Sequence, residues 1–218
     1  MTNLSQNFLC DSKFIEKFIS YLDFSYPIIE IGCGNGVISK EINPDLCIEI
    51  DKKFIPNIRQ YNLVISDARY LPVYRGSIIS SFPYSITEVF FEEVIKNDKI
   101  NSLLLILQKD FVDKIMTYPT FISFILNYYY RIIPKDIIPP KAFCPSPKVF
   151  SQIVLFTKIR HYDPYITKIL KCITKYRNKK IKNAASICGI KANEEKKVRD
   201  FRPCQISELL KYMGLTYA

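Results

Sequence analysis

Ile28-Ile29-Glu30-Ile31-Gly32-Cys33-Gly34-Asn35-Gly36 is the stretch whose reading decides the fold. An isoleucine-rich run containing one acid opens into glycines at every second position, and Val37-Ile38 resume an apolar pattern. A strand that turns sharply into a helix reads this way. Glycine suits a backbone that turns tightly and lets a ligand approach with no Cβ in the way. A dinucleotide-binding turn would space its glycines as G-x-G-x-x-G, with a pyrophosphate on the helix N-terminus. Here they stand at 32, 34 and 36, and position 37 is valine. That shape suits a ligand without a pyrophosphate, such as S-adenosylmethionine. A plain strand–helix turn is the alternative reading.

Three further strand ends carry polar residues of the right kind. Leu46-Cys47-Ile48-Glu49-Ile50-Asp51 ends a second apolar run in acids, with Glu49 17 residues after Gly32. In doubly wound folds an acid at this point accepts hydrogen bonds from ribose hydroxyls. Glu49 or Asp51 fits, and Glu49 is favoured. Asp67, in Ser66-Asp67-Ala68, is placed to accept a hydrogen bond from an adenine amine or to cap the following turn. Ser80-Ser81-Phe82-Pro83-Tyr84 resembles the (Asn/Asp/Ser)-x-Pro-(Tyr/Phe) motif of methyltransferases that act on exocyclic base amines. The lone pair of an adenine amine is delocalised into the ring, so it is a poor nucleophile. Acceptors for its hydrogens, from Ser81 and the carbonyl before Pro83, push the nitrogen toward tetrahedral geometry. Proline fixes that loop, and Tyr84 is placed to stack on a flipped-out base.

Beyond these ends the chain keeps a βαβ rhythm. Strands are expected at Pro27–Ile31, Leu46–Ile50, Leu63–Ser66, Ser77–Phe82, Ser102–Leu107, Tyr128–Ile133 and Gln152–Phe156. Asn101 to Leu107 reads as a central strand buried on both faces. Phe121 to Ile133 reads as a buried helix running into a strand, and the proline-rich Ile133 to Pro147 as an ordered loop. After Lys158 the pattern is helical, at Tyr165–Lys175, Lys179–Cys188 and Gln205–Met213, so a domain boundary is expected near Arg160. The 218 residues allow one α/β domain and a small appendage.

Charge separates the two parts. From Arg160 onward 14 basic residues face 5 acidic ones, a net +9, whereas residues 1–159 carry 17 and 16, a net +1. A segregated basic module points to a polyanion, most commonly nucleic acid; a solvated lysine-rich surface is the alternative. No run of about 18 apolar residues exists, so no membrane span is expected, and the polar Met1 to Asn7 suggests no signal peptide. The seven cysteines lack CxxC spacing. Neither a metal site nor a disulfide framework is expected, and free thiols suit a reducing cytoplasm. His161, the only histidine, reads as an exposed linker residue, which removes support for histidine-based hydrolysis.

The motifs taken in order resemble the ribosomal RNA adenine dimethyltransferases of the KsgA/Erm family. Ser5-Gln6-Asn7-Phe8-Leu9 resembles the family's GQNFL-type segment, and Glu30 to Gly36 its glycine loop. Glu49-Ile50-Asp51 and Asp67-Ala68 resemble its ribose and adenine acids, and Ser81-Phe82-Pro83-Tyr84-Ser85-Ile86-Thr87 its NLPYNIS-type motif. Leu107-Gln108-Lys109-Asp110 resembles LQKE, and Pro139 to Ser151 resembles PPxxFxPxPKVxS. Tyr176 to Asn183 is similar to the basic stretch that opens its C-terminal helical domain, and Arg202-Pro203 with Ile206-Ser207 echo its closing RPxxLS.

The resemblance implies a Rossmann-like class I methyltransferase sheet, an α/β fold, over residues 1–159, and a small C-terminal helical domain that binds RNA over 160–218. It implies S-adenosylmethionine held by Asn7, Leu9, Glu30, Gly32, Gly34, Gly36, Glu49, Asp67 and Ser81. It places Ser81, Pro83, Tyr84 and Phe143 around the target adenine, with Tyr84 and Phe143 as the sandwich. The expected product is N6,N6-dimethyladenine near the 3′ end of small-subunit rRNA. The expected partners are rRNA and the small ribosomal subunit, with the protein a monomer in the cytoplasm. Ser81 stands where the family usually has Asn, Phe150 where it commonly has Asp, and the chain is shorter than usual. Other readings are a non-catalytic ribosome-assembly factor, a large-subunit rRNA methyltransferase giving antibiotic resistance and, more distantly, a dinucleotide-dependent oxidoreductase.

Overall fold

The computed structural model describes residues 7–22, 26–81 and 83–215. Ser5, Gln6 and Phe82 of the motifs above lie outside them. In chain order the elements are β1 (Phe8–Leu9), α1 (Ser12–Ser20), β2 (Ile28–Ile31), α2 (Val37–Ile42), β3 (Leu46–Glu49), α3 (Ile55–Ile58), β4 (Leu63–Ile65), β5 (Gly76–Ser80), α4 (Thr87–Val94) and β6 (Ile100–Gln108). They continue as α5 (Lys109–Thr117), α6 (Phe121–Tyr129), β7 (Tyr130–Ile138), β8 (Phe143–Cys144), β9 (Ser151–Lys158), α7 (Pro164–Lys175), α8 (Ile181–Ile187) and α9 (Ile206–Tyr212). Among the described residues no helix is long and apolar enough to cross a membrane.

The chain forms two compact units. One takes the residues up to Val112 with Ile132–Lys158, and the other takes Asp113–Arg131 with the residues from Ile159 onward. The last change of unit falls between Lys158 and Ile159, and the second unit also draws in a segment from the middle of the chain. The reason is α6, whose Ile122, Phe124, Ile125 and Leu126 are all buried. A helix apolar on most sides needs cover on most sides, and α6 packs against α7 and α9, which come later in sequence.

The first unit is built on a seven-stranded sheet in the order β4-β3-β2-β5-β6-β9-β7. Strands β4, β3, β2, β5 and β6 pair in parallel, and β9 joins β6 antiparallel. The expected central strand is β6, with Leu103 to Leu107 all buried. On one face Phe18, Ile28, Leu104, Ile106 and Ile153 belong to one core cluster. Elsewhere Phe91 packs on Phe111 and Phe156 at ring separations of 6.0 and 5.0 Å. Chain order reverses at β2: the chain runs outward through β3 and β4, then returns to β5 on the other side. In open α/β sheets the crevice at the carboxyl ends of such strands is the ligand site.

Two local expectations are corrected. Ile133 to Pro147 is not all loop, since β7 runs through Pro134 to Ile138 and β8 follows. Proline is tolerated there because β7 is an edge strand of the sheet. The cysteines are not all free thiols, since Cys172 and Cys188 form a disulfide with Cα atoms 5.9 Å apart. It ties α7 to the residue that ends α8, a proximity created by folding and invisible in spacing.

In the second unit Asp163 caps α7, its carboxylate accepting from the backbone N–H of Tyr165 and Ile166, with Pro164 in the first turn. Three more of the unit's acids are also engaged. Glu195 pairs with Lys180 and Lys182, Glu194 accepts from Lys196 N–H, and Asp200 accepts from Lys197 N–H. Lys168, Lys171 and Lys175 are exposed, and their spacing of three and four residues puts them on one face of α7. His161 is exposed just past the boundary at Lys158.

Candidate active site

A cavity of about 460 Å³ opens at the carboxyl ends of β2, β3, β4 and β5, a volume within the range of small-molecule sites. The glycine loop forms one wall. Gly32, Gly34 and Gly36 have φ of 74°, 50° and 76°, a region that L side chains avoid. A Cβ on Gly34 would lie 2.5 Å from the Phe8 ring. Gly32 and Gly34 line the cavity; Gly36 does not. Gly36 starts α2, and a Cβ there would meet Ile58 at 3.1 Å, so it serves the turn and its packing.

Glu49 holds the loop. Its carboxylate is buried and accepts hydrogen bonds from the N–H groups of Gly34, Ile50 and Asp51, each at 2.8 Å. These take three of the roughly four acceptor positions of a carboxylate, leaving about one for a ligand hydroxyl. Of the two acids weighed for the ribose, Glu49 lines the cavity, whereas Asp51 caps the next turn through Lys53 N–H.

Glu30 lies on the cavity wall but is itself buried, 2% exposed. Ser39 Oγ donates to it at 2.5 Å. Burial pushes its carboxyl up to about 8, against the smaller lowering effect of Ser39. The sign of the pH dependence follows. An unfolded glutamic acid ionises near 4.5 and the folded one near 8. The stabilisation is therefore complete below the lower value and is lost as pH rises through the upper one. Glu30→Gln is expected to gain in melting temperature relative to the parent on going from about pH 5 to about pH 8.5. Parallel melting curves for the two proteins across that span would show that the folded carboxyl is ionised.

Donor atoms of Glu30, Cys33 and Cys47 all lie within 4.8 Å of one another. Spacing could not reveal this cluster, because it is assembled from two strands and the loop after the first of them. Cys33 Sγ–H is hydrogen-bonded to the Glu30 carbonyl at 3.3 Å, and Ser39 reaches both Glu30 and Cys47.

Asp67 lines the cavity and also caps the following turn, accepting from Arg69 N–H at 2.9 Å. The Arg69 guanidinium, which donates to both carboxylate oxygens, holds the carboxyl below its usual range. Arg69 was not anticipated as a wall residue. Ser81, Pro83 and Tyr84 follow β5 and line the cavity too. The carbonyl before Pro83 belongs to Phe82, outside the described residues. Tyr84 Oη lies 2.5 Å from Ser151 Oγ. Burial pushes the phenol up, and the hydrogen bond to Ser151 opposes this.

The remaining wall comes from a two-stranded sheet that periodicity did not reveal. β1 pairs antiparallel with β8, matching Phe8 with Cys144 and Leu9 with Phe143. This brings Asn7, Leu9 and Phe143 to the same cavity from segments about 135 residues apart. Phe8 and Phe54, also unanticipated, line it and meet edge to face at 5.3 Å. Every expected site residue except Gly36 thus borders one cavity.

The residues present fit S-adenosylmethionine: a turn whose Gly32 and Gly34 border the cavity without a Cβ, a buried carboxylate with acceptor capacity left beside it, and apolar rings on the wall.

Comparison with known proteins agrees. The family model "Ribosomal RNA adenine dimethylase" matches residues 1–197. The "Ribosomal RNA small subunit methyltransferase A" of Mesomycoplasma hyopneumoniae is 31% identical over 173 residues, covering 70% of this chain and 67% of that protein. Among solved structures, a dimethyladenosine transferase from Plasmodium falciparum superposes with a TM-score of 0.76 at 15% identity, covering 94% of this chain and 96% of that one. The 23S rRNA methyltransferase ErmE superposes at 0.74 and 17% identity, covering 95% and 100%. At these identities the two structures establish the shared fold. With the family match running over most of its length, the chain belongs to the ribosomal RNA adenine dimethylase family, methyltransferases whose methyl donor is S-adenosylmethionine.

Proposed function

We propose that this protein dimethylates adenine amines near the 3′ end of small-subunit rRNA, as a monomer in the cytoplasm. The observation that carries the proposal is the meeting of two residue sets in one cavity: the cofactor-type Gly32, Gly34 and Glu49, and the base-type Ser81, Pro83, Tyr84 and Phe143. S-adenosylmethionine, when bound, supplies a methyl group on a sulfonium that is already a good leaving group. The chain supplies position and electrostatics. Ser81 accepts a hydrogen bond from the adenine amine and favours a tetrahedral nitrogen. Tyr84 and Phe143 hold the faces of the base. Asn7, Leu9, Glu30 and Asp67 complete the cofactor side, and Gly36 acts through the turn. The lysine face of α7 holds RNA phosphates, so binding weakens steeply with salt.

Purified protein incubated with labelled S-adenosylmethionine and each ribosomal subunit tests this. Label is expected in small-subunit rRNA; label confined to the large subunit would replace the proposal with a resistance-type activity. A second reading rests on Ser81, whose reach is shorter than that of the usual Asn: a non-catalytic assembly factor. No transfer, with rRNA binding retained, would establish it.

Glu49→Ala deprives three backbone N–H groups of their acceptor. S-adenosylhomocysteine affinity, read by titration calorimetry, is expected to fall roughly 10- to 100-fold. Unchanged affinity would remove Glu49 from the cofactor site.

A further inference from the structure

Ser151 closes the proline-rich stretch that begins at Pro139. It is fully buried at the first position of β9. Its backbone is fixed by the sheet: Ser151 pairs with Gln108 at the end of β6, and Lys109 N–H donates to the Phe150 carbonyl at 2.9 Å. Among the described residues its hydroxyl has Tyr84 Oη as hydrogen-bond partner, at 2.5 Å. Tyr84 itself sits on a short 3-10 turn, Tyr84–Ile86, in the loop after β5.

We infer that Ser151 is a positioning residue, which orients the Tyr84 ring through its phenol oxygen and so presets the plane on which the target base stacks. This rests on the reading of Tyr84 as the stacking face. A ring held only at its Cβ can swing about two torsions. Anchoring its far end to a rigid strand removes that freedom before the base arrives, and supporting hydrogen bonds of this kind hold a reacting group in productive geometry. The hydrogen bond spans 67 residues of sequence and joins a loop to the sheet. Ser151 does not line the cavity, so its effect must pass through the ring.

The test compares Ser151→Ala, Tyr84→Phe and the double variant, with Tyr84→Ala as reference. Labelled S-adenosylmethionine and small subunits lacking adenine dimethylation are the substrates. Each of the first two variants is expected to lower kcat roughly 2- to 10-fold, with KM for S-adenosylmethionine unchanged. The double variant is expected to be no worse than either alone, because both remove one bond. Additive losses would overturn the inference, since Ser151 would then act through general packing of β9. Unchanged kcat in Tyr84→Phe would overturn it as well, and that result stands even where Ser151→Ala fails to fold. A large loss in Tyr84→Ala with none in Ser151→Ala and Tyr84→Phe would overturn this inference alone. Full activity of Tyr84→Ala would overturn both it and the assignment of the stacking face.

Discussion

Tyr84→Ala is expected to lower methyl transfer roughly 10- to 100-fold while leaving S-adenosylhomocysteine binding nearly unchanged. The size follows from base–aromatic stacking, about 1–3 kcal/mol per base, where each 1.4 kcal/mol is about tenfold. The separation of effects follows from place. Tyr84 stands after β5, while Gly32, Gly34 and Glu49 stand at the ends of β2 and β3. The substitution removes a ring without touching the bonds from Gly34, Ile50 and Asp51 to Glu49. Single-turnover transfer to small subunits and calorimetric titration of S-adenosylhomocysteine read the two quantities separately. Equal losses in both would mean that Tyr84 serves the cofactor, and no loss in either would remove it from the site.

The second large effect concerns stability. Gly76→Ala is expected to destabilise the first unit by about 3–5 kcal/mol, from backbone strain together with overpacking. Gly76 has φ 115°, and a Cβ there would lie 2.3 Å from the Pro27 carbonyl oxygen. That oxygen cannot simply move aside, because it accepts the backbone N–H of Ser77 at 2.9 Å where β5 starts beside β2. A melting-temperature drop of roughly 10 °C is expected. Gly189→Ala is the control: its φ is also positive, at 76°, but a Cβ there meets nothing within 4 Å. Equal, small shifts for the two variants would mean that the β2–β5 junction yields without cost.

The site was largely legible because its chemistry sits at strand ends, where short-range pattern and fold coincide. A glycine turn after β2 and an acid at the end of β3 are local signals, and the topology carries both to one crevice. What was not legible depends on distant partners. β1 and β8 are two residues each, too short for an alternating pattern, and exist because Phe8 and Leu9 find Cys144 and Phe143. The apolar run of α6 announced burial but not which helices bury it. Cys172 and Cys188 become neighbours only once α7 and α8 pack. Gly36 looked like its two companions, yet its vacant Cβ position faces Ile58. Arg69 follows Asp67 by two residues, and only the turn between them brings its guanidinium back onto the carboxylate. Ser151 ended a motif without a task until its hydroxyl was found at Tyr84.

The central claim is tested most directly by mass-spectrometric mapping of small-subunit rRNA from cells with and without this protein. N6,N6-dimethyladenine near the 3′ end is expected in the first and unmodified adenine at the same positions in the second. Identical dimethylation in both, or a change confined to large-subunit rRNA, would contradict it.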